Sequence, residues 1–236
     1  MVGKKTMRNK LLIKKAFVDT VPVLAGYLVI GMGFGLLLRS HGFGVLWAGL
    51  TSVLICAGSL QFVAADLAVG GASLLTAALT AFFVNIRHLF YGISMIDKYK
   101  GMKKKPFLIF ALTDETYSLV CEKEVGEDRE ATGCYYFWVS LFNYLYWIAG
   151  SMLGSVLGEV LPFSTEGVDF SLTALFLTVF TEQWLTTKNH LPALIGLGAS
   201  VLSLLIFGKD NFLIFAMVLI LASLALLHKR EVGKHD

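Results

Sequence analysis

The sequence predicts an all-α integral membrane protein, a polytopic helix bundle of six to eight membrane segments that include one or two short broken or re-entrant helices. Composition is the first observation behind this prediction: 56% of the 236 residues are hydrophobic and 16% are charged, against about 25% charged residues in an average soluble domain. Length is the second observation. A helix needs about 20 apolar residues to cross a bilayer, so the chain has room for six to eight segments and for no sizeable soluble domain.

Positive charge is concentrated near the two ends of the chain and in one internal loop, and it predicts the orientation in the membrane. Residues 1–15 carry six lysines and arginines, and the loop 98–105 carries five lysines. Loops rich in lysine and arginine stay in the cytoplasm. We therefore expect a basic cytoplasmic N-terminal tail at 1–15, a single membrane domain embedded in the lipid bilayer at 16–228 and a cytoplasmic C-terminal tail at 229–236.

Glycines recur at helical spacing in two of the predicted spans. Gly31 and Gly35 form a G-x-x-x-G pair in the first span, at about 16–38. Near the end of a later span, at about 133–157, a glycine recurs every four residues from Gly150 to Gly158. This spacing places small residues on one helix face and lets two helices approach closely. Local unwinding is the alternative for the first pattern, and a contact with a partner protein is the alternative for the second.

Residues 43–96 are nearly all apolar and can be divided in two ways. The first division gives two full spans, at 43–64 and 72–96. The second gives a re-entrant hairpin, broken near 57–59, followed by one full span. Two full spans would leave the lysines of the next loop outside the cell, whereas the hairpin, or three short spans, keeps them in the cytoplasm. The charge pattern therefore favours a broken helix, from which membrane transporters often build a substrate site.

Polar side chains interrupt the apolar stretch from Cys56 to Tyr91, and they are the candidates for a substrate site. A central arginine or aspartate costs roughly 2.5–3.5 kcal/mol in a bilayer, so we expect these groups to have a function. The predicted substrate-binding residues are Gly58, Ser59, Gln61, Phe62, Asn85 and Arg87. The arginine could bind a substrate carboxylate, gate the path by pairing with an internal acid, or pair with an acid only to hold helices together. The polar side chains near the break could equally make interhelical hydrogen bonds.

A second group of residues is predicted to carry a proton or to bind an ammonium group, and it consists of Asp114, Glu115 and His88. The two acids lie in the short segment 106–121, which we interpret as a second half-helix or re-entrant segment that enters from the cytoplasm. Adjacent residues diverge by about 100° on a helix, so at most one of the acids faces a given site. The alternatives are a solvated cytoplasmic segment for the acids and a structural role in the core for His88.

Motifs for several other functions are missing from the sequence. It contains no G-x-x-x-x-G-K-[ST] phosphate loop, no H-E-x-x-H and no G-x-S-x-G. The three cysteines have neither metal-binding nor disulfide spacing, and a net charge of +3 is too small to indicate nucleic-acid binding. We therefore expect no cofactor, no metal, no nucleic-acid partner and no enzymatic activity.

Three motifs resemble those of the AzlC family: G-S-L-Q-F at 58–62, V-N-I-R-H-L-F-Y at 84–91 and L-T-D-E-T-Y at 112–117. The resemblance implies the large subunit of a bacterial exporter of the branched-chain amino acids leucine, isoleucine and valine. It also implies a place in the cytoplasmic membrane, transport driven by the proton gradient, and a small hydrophobic AzlD-like membrane subunit as partner. It supplies no binding residues, so the candidate site rests on the physical argument above.

Two other functions remain open from the sequence. The first is an intramembrane enzyme that uses Asp114 and His88 as acid and base, although no paired-carboxylate or nucleophile motif accompanies them. The second is a structural or assembly subunit without a transport path, whose glycine face at 150–158 contacts another protein.

Overall fold

Helices are the regular elements of the described chain. The structure is a computed structural model, and it describes residues 2–121, 123, 125, 128–160, 177, 180, 181, 184, 185, 187 and 190–232. The helices with defined bounds are α1 (Val2–Ser40), α2 (Val45–Leu54), α3 (Gly58–Val69), α4 (Leu74–Ser94), α5 (Ile96–Tyr99), α6 (Lys105–Phe110), α7 (Asp114–Val120), α8 (Arg129–Val160) and α9 (Leu191–Val232). The predicted all-α class is confirmed. Of the predicted C-terminal tail, residues 233–236 lie outside the described part.

Three of the described helices are long and apolar enough to cross a membrane: Met7–Ser40 within α1, all of α4, and Leu191–Gly208 within α9. The 32 residues of α8 extend about 48 Å, but α8 is not among these three helices. α2 and α3 are apolar and have only 10 and 12 residues. The predicted number of six to eight membrane segments stays a prediction.

The chain divides into two compact units. The first consists of residues 1–71 and 84–172, and it contains every candidate site residue. The second consists of residues 72–83 and 173–236, and it contains α9. The two units are therefore described separately.

In the second unit, α9 reverses direction at Gly208. This glycine has a φ of 70°, a left-handed conformation that glycine adopts without steric cost. The rings of Phe207 and Phe215 stack with their centroids 3.7 Å apart. Two residues at this separation on a straight helix would lie about 12 Å apart along the axis, so the two halves of α9 fold back on each other.

α1 is longer at its N-terminus than the predicted first span. The helix begins at Val2 and runs without interruption to Ser40, because its basic N-terminal residues are mostly good helix formers and include no proline. Ion pairs tie this end to the segment before α8: Arg8 Nη1 lies 2.6 Å from Asp128 Oδ2. The basic residues at the start of α1 and the start of α8 therefore share one end of the first unit.

The two glycine patterns meet each other in the contact between α1 and α8. A Cβ atom on Gly35 would overlap the backbone of Ser151, and one on Gly154 would overlap the backbone of Met32. A Cβ on Gly150 would lie 2.6 Å from the carbonyl oxygen of Tyr27. The prediction of close helix packing is confirmed for both patterns, and unwinding of α1 is excluded because the helix is continuous. The glycine face of α8 thus serves a contact within the chain.

A first hairpin of short helices is formed by α2 and α3, which are separated at residues 55–57. Its two ends lie near the C-terminal end of α1, because α2 starts shortly after α1 ends and Asp66 of α3 lies 3.9 Å from His41. Its apex lies deep in the unit, where Gly58 packs against the ring of Trp147. The predicted helix break is therefore present.

A second hairpin is formed by α6 and α7, which are separated at residues 111–113. Leu108 and Val120 pack with Leu12 of α1 in one apolar cluster, so both ends of this hairpin lie near the N-terminal end of α1. At its apex, Thr113 Oγ1 lies 2.8 Å from the hydroxyl of Tyr27, in the middle of α1. The interpretation of 106–121 as half-helices agrees with this geometry, and its entry from the cytoplasm stays a prediction.

The glycine contact between α1 and α8 predicts opposite effects for two glycine-to-alanine substitutions. Gly154→Ala should lower the free energy of unfolding by about 1–3 kcal/mol, because the added methyl group overpacks the contact. Gly33→Ala meets nothing within 4 Å and should raise stability by about 0.5–1 kcal/mol, since alanine is the better helix former. Thermal or denaturant unfolding in detergent measures both. Equal changes in the free energy of unfolding for the two variants would show that the close contact between α1 and α8 does not form.

Candidate functional site

The side chain of Arg87 joins the apices of the two hairpins. It projects from α4, and its Nη1 lies 2.5 Å from Asp114 Oδ2 at the start of α7. Its Nη2 donates a hydrogen bond of 2.9 Å to Ser59 Oγ in the first turn of α3. The guanidinium therefore uses two separate nitrogens for two different helices, a geometry that a lysine cannot reproduce.

Four polar atoms around this pair are buried and have no hydrogen-bond partner among the described residues. They are Asn85 Oδ1, Arg87 Nε, His88 Nδ1 and Asp114 Oδ1. A buried polar group without a partner costs about 1–3 kcal/mol, and such groups are rare unless they have a function. Each member of the pair thus has a buried polar atom outside the ion pair itself, a nitrogen on the arginine and an oxygen on the aspartate.

Aromatic side chains border the Asp114 side of the pair. The hydroxyl of Tyr91 lies beside Asp114, and the ring of Tyr91 stacks on Tyr117 with centroids 4.5 Å apart. The ring of His88 meets Tyr91 edge to face at 5.9 Å. Ser94 Oγ donates to the hydroxyl of Tyr117 over 3.1 Å. These contacts form an apolar wall next to a charged pair, as in many sites for small amphipathic ligands.

Glu115 faces away from Arg87, as the divergence of adjacent helix residues predicts. Its Oε2 accepts a hydrogen bond of 2.6 Å from the hydroxyl of Tyr27 on α1. Thr113 caps α7 by accepting from the backbone N–H of Thr116. Both acids of this motif therefore lie at the apex of the second hairpin, where each has a side-chain partner.

Gln61 and Phe62 lie in the packing of the first unit, not beside Arg87. Gln61 is 2% exposed, its Oε1 accepts from Trp147 Nε1 at 2.5 Å, and its Nε2 donates to Ser52 Oγ at 3.2 Å. Phe62 packs edge to face on Phe34 at 5.4 Å. Residues 59 and 61 diverge by about 200° on a helix, which explains why the structure separates Gln61 from the charged pair.

Gly58 provides close approach at the apex of the first hairpin. A Cβ atom at this position would lie 2.8 Å from the ring of Trp147, so a larger residue would push the two elements apart. On the Gln61 side of α3, an apolar cavity of about 180 Å³ is bordered by residues that include Phe34, Trp47 and Ala65. The cavity is smaller than the roughly 300 Å³ at which pockets for drug-sized ligands begin.

Sequence reasoning did not single out Tyr27 and Trp147, which hold the two apices. Tyr27 bonds to the second hairpin, Trp147 bonds to the first, and their rings contact each other edge to face at 5.4 Å. The sequence held one general indication that these two residues make specific contacts. A tyrosine or tryptophan inside an apolar span usually finds a partner for its O–H or N–H, although the sequence does not say which partner.

The bond from Trp147 to Gln61 predicts that the tryptophan holds the first hairpin in place. Trp147→Phe should lower the free energy of unfolding by about 1–3 kcal/mol, because it leaves the buried amide oxygen of Gln61 without a donor. The double variant Trp147→Phe with Gln61→Leu should lower the free energy of unfolding by less than the sum of the two single substitutions. Trp47→Phe, at a side chain that is 53% exposed, is the control. Additive losses in the double variant would show that the bond contributes nothing.

Comparison with known proteins identifies relatives of this chain. Residues 22–161 match the sequence profile of the AzlC protein family. A Bacillus subtilis protein named branched-chain amino acid transport protein AzlC is 44% identical, over 92% of this chain and 85% of its own length. An uncharacterized membrane protein of Haemophilus influenzae is 41% identical over 87% of this chain and 84% of its length, and the inner membrane protein YgaZ of Escherichia coli is 30% identical over 68% of each. No solved structure matches the chain. With more than half of its length matched, this chain is a membrane protein that belongs to the AzlC family.

Proposed function

We propose that the protein exports branched-chain amino acids across the bacterial cytoplasmic membrane, with its N-terminus in the cytoplasm. In this proposal it is the large subunit of a two-component secondary transporter, it works with a small hydrophobic AzlD-like subunit, and the proton gradient drives it. The name of the Bacillus subtilis relative supports the substrate class. The membrane helices and the absence of a nucleotide motif in the sequence support a secondary transporter.

The observation that carries the proposal is the Arg87–Asp114 pair, which has one buried guanidinium nitrogen and one buried carboxylate oxygen outside the ion pair. An amino acid presents a carboxylate and an ammonium group a few bonds apart. The carboxylate would accept from the guanidinium of Arg87, and the ammonium group would donate to Asp114. Charge-assisted hydrogen bonds of this kind are about twice as strong as neutral ones.

The pair would act as a gate as well as a binding site. Arg87 Nε and Asp114 Oδ1 are covered in this structure, and in this proposal a ligand reaches them when the two side chains separate. An arriving zwitterion supplies each side chain with a new partner of opposite charge, which offsets the loss of the ion pair. Protonation of Asp114 would weaken its attraction to Arg87 and would couple the opening of the gate to the proton gradient.

The aliphatic side chain of the substrate would pack against the wall formed by Tyr91 and Tyr117. These rings adjoin the carboxylate of Asp114, and they offer apolar area within reach of the ammonium group. Ser59 would hold Arg87 in position from the other side. His88, next to Arg87 on α4, is the remaining candidate for a proton carrier, because its titration lies near neutral pH in water.

Export of leucine from loaded cells tests the function. Cells that express the protein with the small subunit are loaded with a leucine-containing dipeptide, and the leucine released to the medium is measured. We expect release at least tenfold above that of cells lacking both genes, and suppression by a protonophore. The same release from cells with and without the two genes would end the proposal.

Neutral substitution of both members of the charged pair separates transport from structure. Arg87→Gln and Asp114→Asn should each lower stability by roughly 1–2 kcal/mol, because each leaves one half-exposed charge without its partner. The double variant should regain most of this stability, yet its leucine export should stay below about a tenth of the original rate. Recovery of export in the double variant would mean that the pair only holds helices together. Arg39→Gln with Glu159→Gln, which removes an ion pair of 3.7 Å that lies outside the candidate site, is the control.

A further inference from the structure

A basic cavity lies in the first unit, at the end that also carries the N-terminal cations of α1. Its volume is about 530 Å³, and it is an open cavity lined by the loop after α5, by α6 and by the first three turns of α8. Its charged border consists of Lys103, Lys104, Arg129 and Glu130. Three cations face one carboxylate, and that carboxylate also lies 3.9 Å from Arg8. The cavity therefore favours an anionic ligand.

Two of the cations are held in place by contacts with the protein. Lys104 Nζ lies over the ring of Phe137, 3.2 Å from its centroid, a cation–π contact that orients the ammonium group. Arg129 Nη2 donates a hydrogen bond of 2.6 Å to the carbonyl oxygen of Asp97. A guanidinium has five N–H donors, so Arg129 keeps donors for a ligand. The positive charge is thus ordered at the wall of the cavity.

The remaining wall of the cavity is apolar. It includes Met102, Leu108, Phe137 and Trp138. Beyond it, the next residue of α6, Ile109, is 50% exposed, as expected of a surface that faces lipid. A soluble phosphate needs only the cations, whereas a phospholipid needs cations for its headgroup and an adjoining apolar surface for its chains. The cavity offers both.

We propose that this cavity binds an anionic phospholipid of the bilayer. Its phosphate would lie against Lys103, Lys104 and Arg129, and its acyl chains would extend along the exposed face of α6. Basic cavities between helices at the cytoplasmic side of membrane proteins are suited to such headgroups. The site is separate from the charged pair at Arg87, and the proposal does not depend on the substrate of the transporter.

Cys134 is a natural reporter, because it lines the cavity and is one of three free cysteines. A protein with Cys56→Ser and Cys121→Ser keeps Cys134 alone, and it can be placed in nanodiscs of phosphatidylcholine with or without phosphatidylglycerol. We expect N-ethylmaleimide to react with Cys134 at least fivefold more slowly when phosphatidylglycerol is present. The matched control keeps Cys121 alone, at the same end but outside the cavity, and should show no such difference.

Charge substitutions decide whether the protection belongs to this cavity. Lys103→Gln with Lys104→Gln should weaken phosphatidylglycerol binding about thirtyfold, since each surface cation strengthens attraction to anionic lipid about fivefold, and should abolish the protection of Cys134. Lys10→Gln with Lys14→Gln removes the same charge from α1 and should preserve the protection. Equal reaction rates in both lipids, or loss of protection in both variants, would overturn the proposal. Protection by inorganic phosphate in phosphatidylcholine nanodiscs would also overturn it, in favour of a soluble anion.

Discussion

The backbone contact between α1 and α8 is the constraint on which the rest of the first unit depends. Glycines on both helices remove the side chains that would hold them apart, and in a membrane such close packing replaces much of the hydrophobic driving force that soluble proteins use. The contact places Tyr27 and Trp147 against each other. These two side chains then hold the apices of the two hairpins, and the apices supply Asp114 and Ser59 to Arg87.

A broken helix inside a membrane protein exposes backbone groups that water cannot reach, and the structure shows how some of these groups are satisfied. The hydroxyl of Tyr144 donates to the carbonyl oxygen of Val53 at the end of α2 over 2.9 Å. Thr113 supplies the cap of α7 with its side chain. Irregular backbone at this depth is tolerated only where protein surrounds it or where it lines a cavity. The first break is satisfied in part by a side chain of α8 and the second by the side chain of its own Thr113.

Local rules applied to the sequence predicted the parts of this arrangement that depend on spacing and charge. The helix break near residues 57–59 followed from counting lysines on either side of it, and the divergence of Asp114 from Glu115 followed from helical geometry. The two glycine patterns indicated two packing faces. What spacing could not reveal is which distant residues meet. Nothing near Gln61 in the sequence indicates its partner Trp147, which is 86 residues away. Because Gln61 bonds to this tryptophan, it does not lie beside Arg87.

The two hairpins enter the first unit from opposite ends, and each is followed in the chain by a long helix. The two hairpins carry different side chains at their apices. At the start of α3 the first two residues are Gly58 and Ser59, whereas the first two of α7 are Asp114 and Glu115. The two apices therefore differ in charge where they meet Arg87: the first offers a hydroxyl group and the second offers a carboxylate. A guanidinium is held more strongly by a carboxylate than by a neutral hydroxyl group, so a movement that separates the two apices would leave Arg87 with the second hairpin.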